Sequence, residues 1–266
     1  MSESAQPAGR YIDLDALRTY YEVHGSGDPV LLLHGGFATV ATWAAQTDAL
    51  AKRYTVYLPE RRGHGRTPDA PGPITLEIMA RDTIAFMEAL GIGSAHLVGW
   101  SDGGNVALDV ALARPDLVRK LVIIGAAIDR SGYSGELQES LPNFALDWLP
   151  PVLRKTYDEL SPDGPEHFPV VFEKIVTMWK AEPRHPIDDV ATLDVPTLIL
   201  LGDDDDVTVT HGAEVQRAMP NAQLAVVPGT DHGLIFEKPE LVNRLILDFL
   251  ADEQVPKIFK GGAPPD

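Results

Sequence analysis

The chain contains no cysteine, so structural disulfides and thiolate metal sites are excluded, and no redox compartment can be read from it. It also lacks any run of about 18 apolar residues, the length a membrane-crossing helix needs, so no transmembrane segment is expected. Met1 to Arg10 is polar and has no apolar stretch of the secretory kind, which makes the cytoplasm the simplest location. Positive charge is scarce: 22 Lys and Arg against 39 Asp and Glu leave a net charge of −17 at pH 7. Such a surface repels nucleic acid and anionic membranes, so neither is expected as a partner. It mildly favours neutral or cationic small molecules, and solubility is the plainer reason for it.

What is present suffices for an enzyme-sized core. With 266 residues and 44% hydrophobic content, the chain buries most of its apolar surface without disulfides or metals. Its most informative stretch is Gly99-Trp100-Ser101-Asp102-Gly103. The apolar Ala95 to Val98 before it predicts a buried parallel strand, and Gly104 to Ala113 after it predicts a helix. By composition alone, a Gly-x-Ser-x-Gly arises in about one chain in ten of this length, so the context has to decide. A strand, this pentapeptide and a helix together make a nucleophile elbow. The chain reverses at Ser101, and side chains at 99 and 103 would collide with the neighbouring strand and helix. The turn lifts the Ser101 hydroxyl to a helix N-terminus, where developing negative charge is favoured.

Residues 1–9 and 253–266 are expected to be loose, the latter carrying Gly261-Gly262-Ala263-Pro264-Pro265. Arg10 to Val23 predicts two antiparallel edge strands, and Pro29 to Leu33 a fully buried one. Further strands are predicted at 54–58, 119–126, 197–201 and 223–227. Helices are predicted at 42–52, 75–90, 211–219 and 239–250. Alternating strands and helices imply an α/β fold with a mostly parallel eight-stranded sheet. Residues 128–195 break the pattern: they are rich in proline and hold short helical pieces bearing Phe144, Trp148 and Trp179. This stretch reads as a helical cap inserted between core segments 10–127 and 196–252, over the strand ends where such sheets bind ligands. Most of its aromatics suit core packing. Phe144, Trp148 and Trp179, with Phe37, Trp100 and Asp102, are the expected substrate contacts.

A serine nucleophile needs a base, and the base needs an orienting acid. Ser101, the run Asp203 to Asp206 and His232 occur in the order this elbow demands, each just past a predicted strand. Four adjacent aspartates leave the acid open, with three expected to face solvent. His34-Gly35-Gly36-Phe37 follows the third strand and suits an oxyanion loop. The favoured donors are the N–H groups of Gly36 and Asp102, with Phe37 the lesser alternative to Gly36. His34 is expected to pin that loop and His64 to serve its turn, neither acting as a base.

The pieces Leu-Leu-Leu-His-Gly-Gly, Arg-Gly-His-Gly-Arg-Thr, Gly-Trp-Ser-Asp-Gly-Gly, Pro-Thr-Leu-Ile-Leu-Leu-Gly-Asp-Asp-Asp-Asp-Val and Pro-Gly-Thr-Asp-His-Gly together resemble the α/β-hydrolase superfamily. The likeness runs from Pro29 to Leu250 and is weakest across 128–195. It implies Asp205 as the acid and His232 as the base. Glu60 stands where the family commonly has aspartate, with loop packing as the expected consequence. The serine argues against the dehalogenases and epoxide hydrolases of similar fold, and the loop lacks the His-Gly-Gly-Pro-Gly of proline iminopeptidases. The elbow is most similar to that of biphenyl-hydrolase-like enzymes that cleave α-amino-acid esters. The resemblance implies that the Asp102 carboxylate meets a substrate ammonium; a carboxylate at a helix N-terminus is the structural alternative.

The expected activity is hydrolysis of a small-molecule carboxylic ester or lactone through an acyl-enzyme, with no cofactor and no metal. A perhydrolase or acyltransferase on the same residues and a ligand receptor without turnover are the alternatives.

Overall fold

The computed structural model describes residues 9–15 and 17–251. The segments expected to be loose, 1–9 and 253–266, lie outside the described residues, Gly9 apart. Eight strands form one sheet: β1 (Arg10–Leu14), β2 (Leu17–Gly25), β3 (Asp28–Leu33), β4 (Tyr54–Pro59), β5 (Ala95–Trp100), β6 (Val118–Ile124), β7 (Thr197–Gly202) and β8 (Ala222–Val227). Their spatial order is β1-β2-β4-β3-β5-β6-β7-β8. Only β2 runs against its neighbours; from β4 to β8 every pairing is parallel.

The central strands are apolar on both faces because helices cover both. Leu31, Leu33, Leu97, Leu121 and Ile123 pack toward α2 (Leu76–Ala89), α3 (Asp102–Ala113) and α8 (Val209–Ala218). Val30, Leu32, Val98, Val122 and Leu200 pack toward α1 (Ala44–Leu50) and α10 (Pro239–Leu250). A short α9 (Leu234–Glu237) precedes α10. The Thr75 hydroxyl accepts from Ile78 N–H at 3.1 Å and caps α2. The Thr208 hydroxyl likewise accepts from His211 N–H at 3.3 Å, so α8 starts at Val209, two residues before the predicted start. The predicted helix at 42–52 divides into a 3-10 turn at Val40–Trp43 followed by α1. The predicted strand at 119–126 ends at Ile124, because Gly125 turns with φ 57°.

Between β6 and β7 the chain forms α4 (Gly135–Ser140), α5 (Pro151–Leu160), α6 (Phe168–Ala181) and α7 (Ile187–Ala191) with 3-10 turns between them. The buried residues of α6, namely Phe168, Val171, Ile175, Val176 and Met178, recur at helical spacing. Side chains tie this insert to the core. Asp69 accepts from Lys174 Nζ at 2.6 Å and pairs with His167 Nε2 at 2.9 Å. Asp109 of α3 pairs with His185 Nε2 at 2.6 Å, and Glu182 accepts from the Leu76 N–H at 2.8 Å. Among the described residues no helix is long and apolar enough to cross a membrane.

Candidate active site

At the end of β5 the backbone of Ser101 adopts φ 56° and ψ −127°, a region L-residues rarely occupy. The strain is held in place by Ser101 N–H donating to Ile124 O at 2.8 Å and Ser101 O accepting from Gly104 N–H at 2.7 Å. A side chain on Gly99 would strike the backbone of Gly103 in α3, and one on Gly103 the backbone of Leu33 in β3. Ser101 Oγ lies 3.0 Å from His232 Nε2, which arrives on the loop after β8. His232 Nδ1 lies 2.9 Å from Asp205 Oδ1, on the loop after β7. Three parallel strand ends thus bring the serine, the imidazole and one aspartate into a single chain of hydrogen bonds. The carboxylate can only accept, so Nδ1 carries the proton and Nε2 is left to accept from the serine hydroxyl. Gly202 N–H at 3.2 Å and Val207 N–H at 3.3 Å also donate to Asp205, whose side chain is shut off from solvent.

Burial by itself would lower the His232 pKa. The Asp205 hydrogen bond and the charges of Asp205, Asp206 and Asp102 more than offset it, and the net shift is upward from 6.5. Gly125 makes the pair possible: a Cβ there would come within 3.1 Å of the imidazole and 3.4 Å of Asp205 Oδ2. Sequence reasoning passed over this glycine. Its signal is a glycine closing an apolar strand, Ile124-Gly125-Ala126. Trp100, expected only as a substrate contact, also donates its indole N–H to His232 O at 2.9 Å.

The aspartate run divides as expected, with Asp205 buried and the other three exposed. Asp203 and Asp204 do face solvent, and Asp203 accepts from Thr230 N–H at 3.0 Å. Asp206, exposed as well, also borders the cavity beside Ser101.

Behind the His-Gly-Gly loop, His34 is fully buried, and that burial, with the nearby charge of Arg61, holds its pKa well below the ordinary value. His64, buried and beside the same cation, falls to about 3. Both imidazoles are therefore neutral, and neither reaches Ser101. His34 Nε2 accepts from Arg61 N–H at 3.2 Å, while His64 Nδ1 donates to Arg62 O at 2.8 Å. The Glu60 carboxylate is buried, accepting from Arg66 N–H at 2.5 Å and from the Arg66 guanidinium at 2.9 Å. Glu60 thus shapes the loop and stands apart from the serine.

Ser101 opens onto a cavity of about 350 Å³. Phe37, Trp100, Asp102, Phe144, Trp148 and Trp179, the six expected contacts, all line it, as does Gly36. Tyr133 and Asp206 line it as well and were missed. No Lys or Arg is among its lining residues. Both Asp102 carboxylate oxygens lie 2.9 Å from the Trp179 indole nitrogen and accept its N–H. Burial raises the Asp102 pKa; Arg61, the Trp179 hydrogen bond and His232 pull against it without cancelling it. A larger groove of about 790 Å³ lies between α2, α3 and residues 182–192, but it contains none of these groups.

Comparison with known proteins agrees with this architecture. Residues 30–245 match the family model described as the alpha/beta hydrolase family. A protein of Caulobacter sp. strain K31, provisionally named carbamate hydrolase RutD, is 30% identical over 262 residues, covering 88% of this chain and 96% of its own. A non-heme haloperoxidase of Rhodococcus erythropolis is 28% identical over 265 residues, covering 89% and 97%. The solved meta-cleavage product hydrolase of Pseudomonas fluorescens IP01 superposes with a TM-score of 0.79 at 27% identity, over 92% of this chain and 98% of that one.

Proposed function

We propose, because this chain belongs to the alpha/beta hydrolase family, that it hydrolyses a carboxylic ester or lactone of a small molecule through an acyl-enzyme on Ser101. One observation carries the reading: Ser101 Oγ, His232 and Asp205 are linked at 3.0 and 2.9 Å at the floor of an apolar cavity. His232 takes the Ser101 proton as Oγ attacks the carbonyl carbon. Asp205 holds the imidazole tautomer and stabilises the imidazolium that forms. The N–H groups of Gly36 and Asp102 receive the oxyanion. His232 then hands its proton to the leaving alcohol, and water activated by the same imidazole releases the acid.

The cavity also limits the acyl group. Its walls present the carboxylates of Asp102 and Asp206 and no cationic side chain, so a carboxylate-bearing substrate is disfavoured against a neutral or cationic one. The test is acid release from a panel of p-nitrophenyl esters and lactones differing in chain length and charge. Burst release of nitrophenol followed by steady turnover supports the acyl-enzyme. Ligand binding without acid release would overturn it in favour of a receptor. The resemblance to a haloperoxidase supports a second reading, in which peroxide replaces water as the acyl acceptor. Peracid formed in preference to acid at equal concentrations of ester would favour that reading.

A further inference from the structure

The mechanism leaves a buried cation unused. Arg61 is 4% exposed, sits beneath the His-Gly-Gly loop and reaches no substrate-lining surface. One guanidinium nitrogen, Nη2, donates both to His34 O and, at 3.0 Å, to Gly35 O. Gly35 O also accepts from His34 Nδ1 at 2.8 Å and from Ala38 N–H at 3.4 Å. His34 is itself held from the other side, its Nε2 accepting from the Arg61 N–H at 3.2 Å. Three donors thus converge on a single carbonyl in a loop of two glycines.

A trans peptide is planar, and its C=O and N–H point in opposite directions. The only cis bond among the described residues is Glu182–Pro183, so the Gly35–Gly36 bond is trans. Fixing Gly35 O toward Arg61 therefore points Gly36 N–H away from it. The elbow packs directly against these two glycines. A Cβ on Gly35 would stand 3.2 Å from Ser101 Cβ, and one on Gly36 would stand 2.6 Å from Asp102 Oδ2. Two consecutive glycines resist rotation of the intervening plane only weakly, and a rotated plane would put a carbonyl oxygen where the oxyanion forms. We infer that Arg61, with His34 as its brace, is a positioning residue that locks the Gly35–Gly36 plane so that the Gly36 N–H faces the oxyanion. The inference rests on the acyl-transfer reading above.

Arg61 suits the task because the two N–H bonds of Nη2 are fixed in the guanidinium plane, whereas those of a lysine ammonium rotate freely. Burial lowers its pKa to about 10, against the pull of Asp102, so it stays charged at neutral pH. The guanidinium thus adds positive potential beneath the hole as well as geometry.

The experiment compares wild type with Arg61→Met and Arg61→Lys. Three readouts are taken: kcat on a neutral p-nitrophenyl ester, affinity for phenylboronic acid, and ester binding in a Ser101→Ala background. Phenylboronic acid forms a tetrahedral adduct with the serine and so occupies the hole, whereas the uncleaved ester does not. Arg61→Met is expected to lower kcat and boronate affinity together by about 100-fold, the cost of one oxyanion donor, while ester binding holds. Arg61→Lys is expected to recover part of both. Unchanged boronate affinity, or ester binding lost in the same proportion, would overturn the inference. If Arg61→Met does not fold, Arg61→Lys is judged by the same criteria. A wild-type protein that neither cleaves esters nor binds boronate would overturn the acyl-transfer reading instead.

Discussion

The ends of the parallel strands and the insert between β6 and β7 both face Ser101, but they are held there by different means. Ser101, Asp205 and His232 follow β5, β7 and β8, whose positions are fixed by a continuous ladder of main-chain pairings. The insert meets the core main chain only locally, where Tyr133 bridges Val207 and Ser134 N–H donates to Asp206 O at 2.7 Å. Much of its hold comes from side chains: Asp69 with Lys174 and His167, Asp109 with His185, and Asp102 with Trp179. Main-chain pairing is insensitive to which side chains are present, so it is a stable place for the chemistry. Side-chain ties can be rewritten one substitution at a time, so they suit selectivity. Substitutions in the first group should therefore stop the reaction, and those in the second should redirect it.

The largest effect is expected at the strand ends. Ser101→Ala and His232→Ala should each lower kcat on the order of 10⁶-fold, and the double variant no further, because such residues act as a unit. Thermal unfolding should be unchanged, since neither side chain supports the sheet. Wild-type turnover in either variant would refute the assignment.

Asp205→Asn should cost about 10⁴-fold in kcat, because the imidazole loses the tautomer its carboxylate enforces. The run supplies its own controls. Asp203 and Asp204 face solvent, so Asp203→Asn and Asp204→Asn should leave kcat near wild type. A larger loss in either than in Asp205→Asn would move the acid to that residue.

Asp102 straddles the two regions, with its N–H on the elbow and its carboxylate on Trp179 of the insert. Asp102→Asn should keep neutral-ester turnover, because the backbone donor survives. The preference for α-amino-acid esters over matched neutral esters should fall about ten- to a hundred-fold, as loss of a charge-assisted hydrogen bond implies. An unchanged kcat/KM ratio would show that the carboxylate serves the insert and not the substrate.

Asp69 tests the insert alone. Asp69→Asn should weaken the hold on Lys174 and His167 and raise KM several-fold with little change in kcat. A fall in kcat equal to the rise in KM would show that the insert also places the reacting groups.

The smallest effect is a shift in pH dependence. His232 must be neutral to accept the serine proton, and its pKa lies above 6.5. Activity should therefore rise with pH, its midpoint lying above 6.5. Asp206→Asn removes a negative charge that favours the imidazolium, so the acid limb of kcat/KM should move to lower pH. A limb that stays in place would show that Asp206 is screened from the imidazole.

The same contrast explains what the sequence disclosed. The predicted strand at 29–33 is found at Asp28–Leu33 and that at 223–227 at Ala222–Val227, because an apolar run bounded by turn residues has few other uses. Ser101, an aspartate run and His232 were legible because each punctuates such a run. Asp69 and Lys174 left no comparable mark: they lie 105 residues apart, and neither has a periodic partner. Phe37, Phe144, Phe168, Phe172 and Trp179 form one aromatic cluster, and nothing in their spacing separates the cavity-lining members from the core. The role of Gly125 depends on a backbone turn with φ 57°, which composition does not record.

The four tryptophans give the molecule an optical consequence. Trp179 and Trp100 have their indole N–H groups tied to Asp102 and to His232 O, and Trp148 stands at the cavity wall. Trp43 is fully buried on the sheet face covered by α1 and α10 and does not line the cavity. Three fluorophores therefore border the acyl group and the fourth is a dark-side reference. Acylation of Ser101 should change the emission of the first three while Trp43 holds a constant baseline, so a stopped-flow trace of the unlabelled protein would resolve acyl-enzyme formation from its hydrolysis for any substrate, coloured or not.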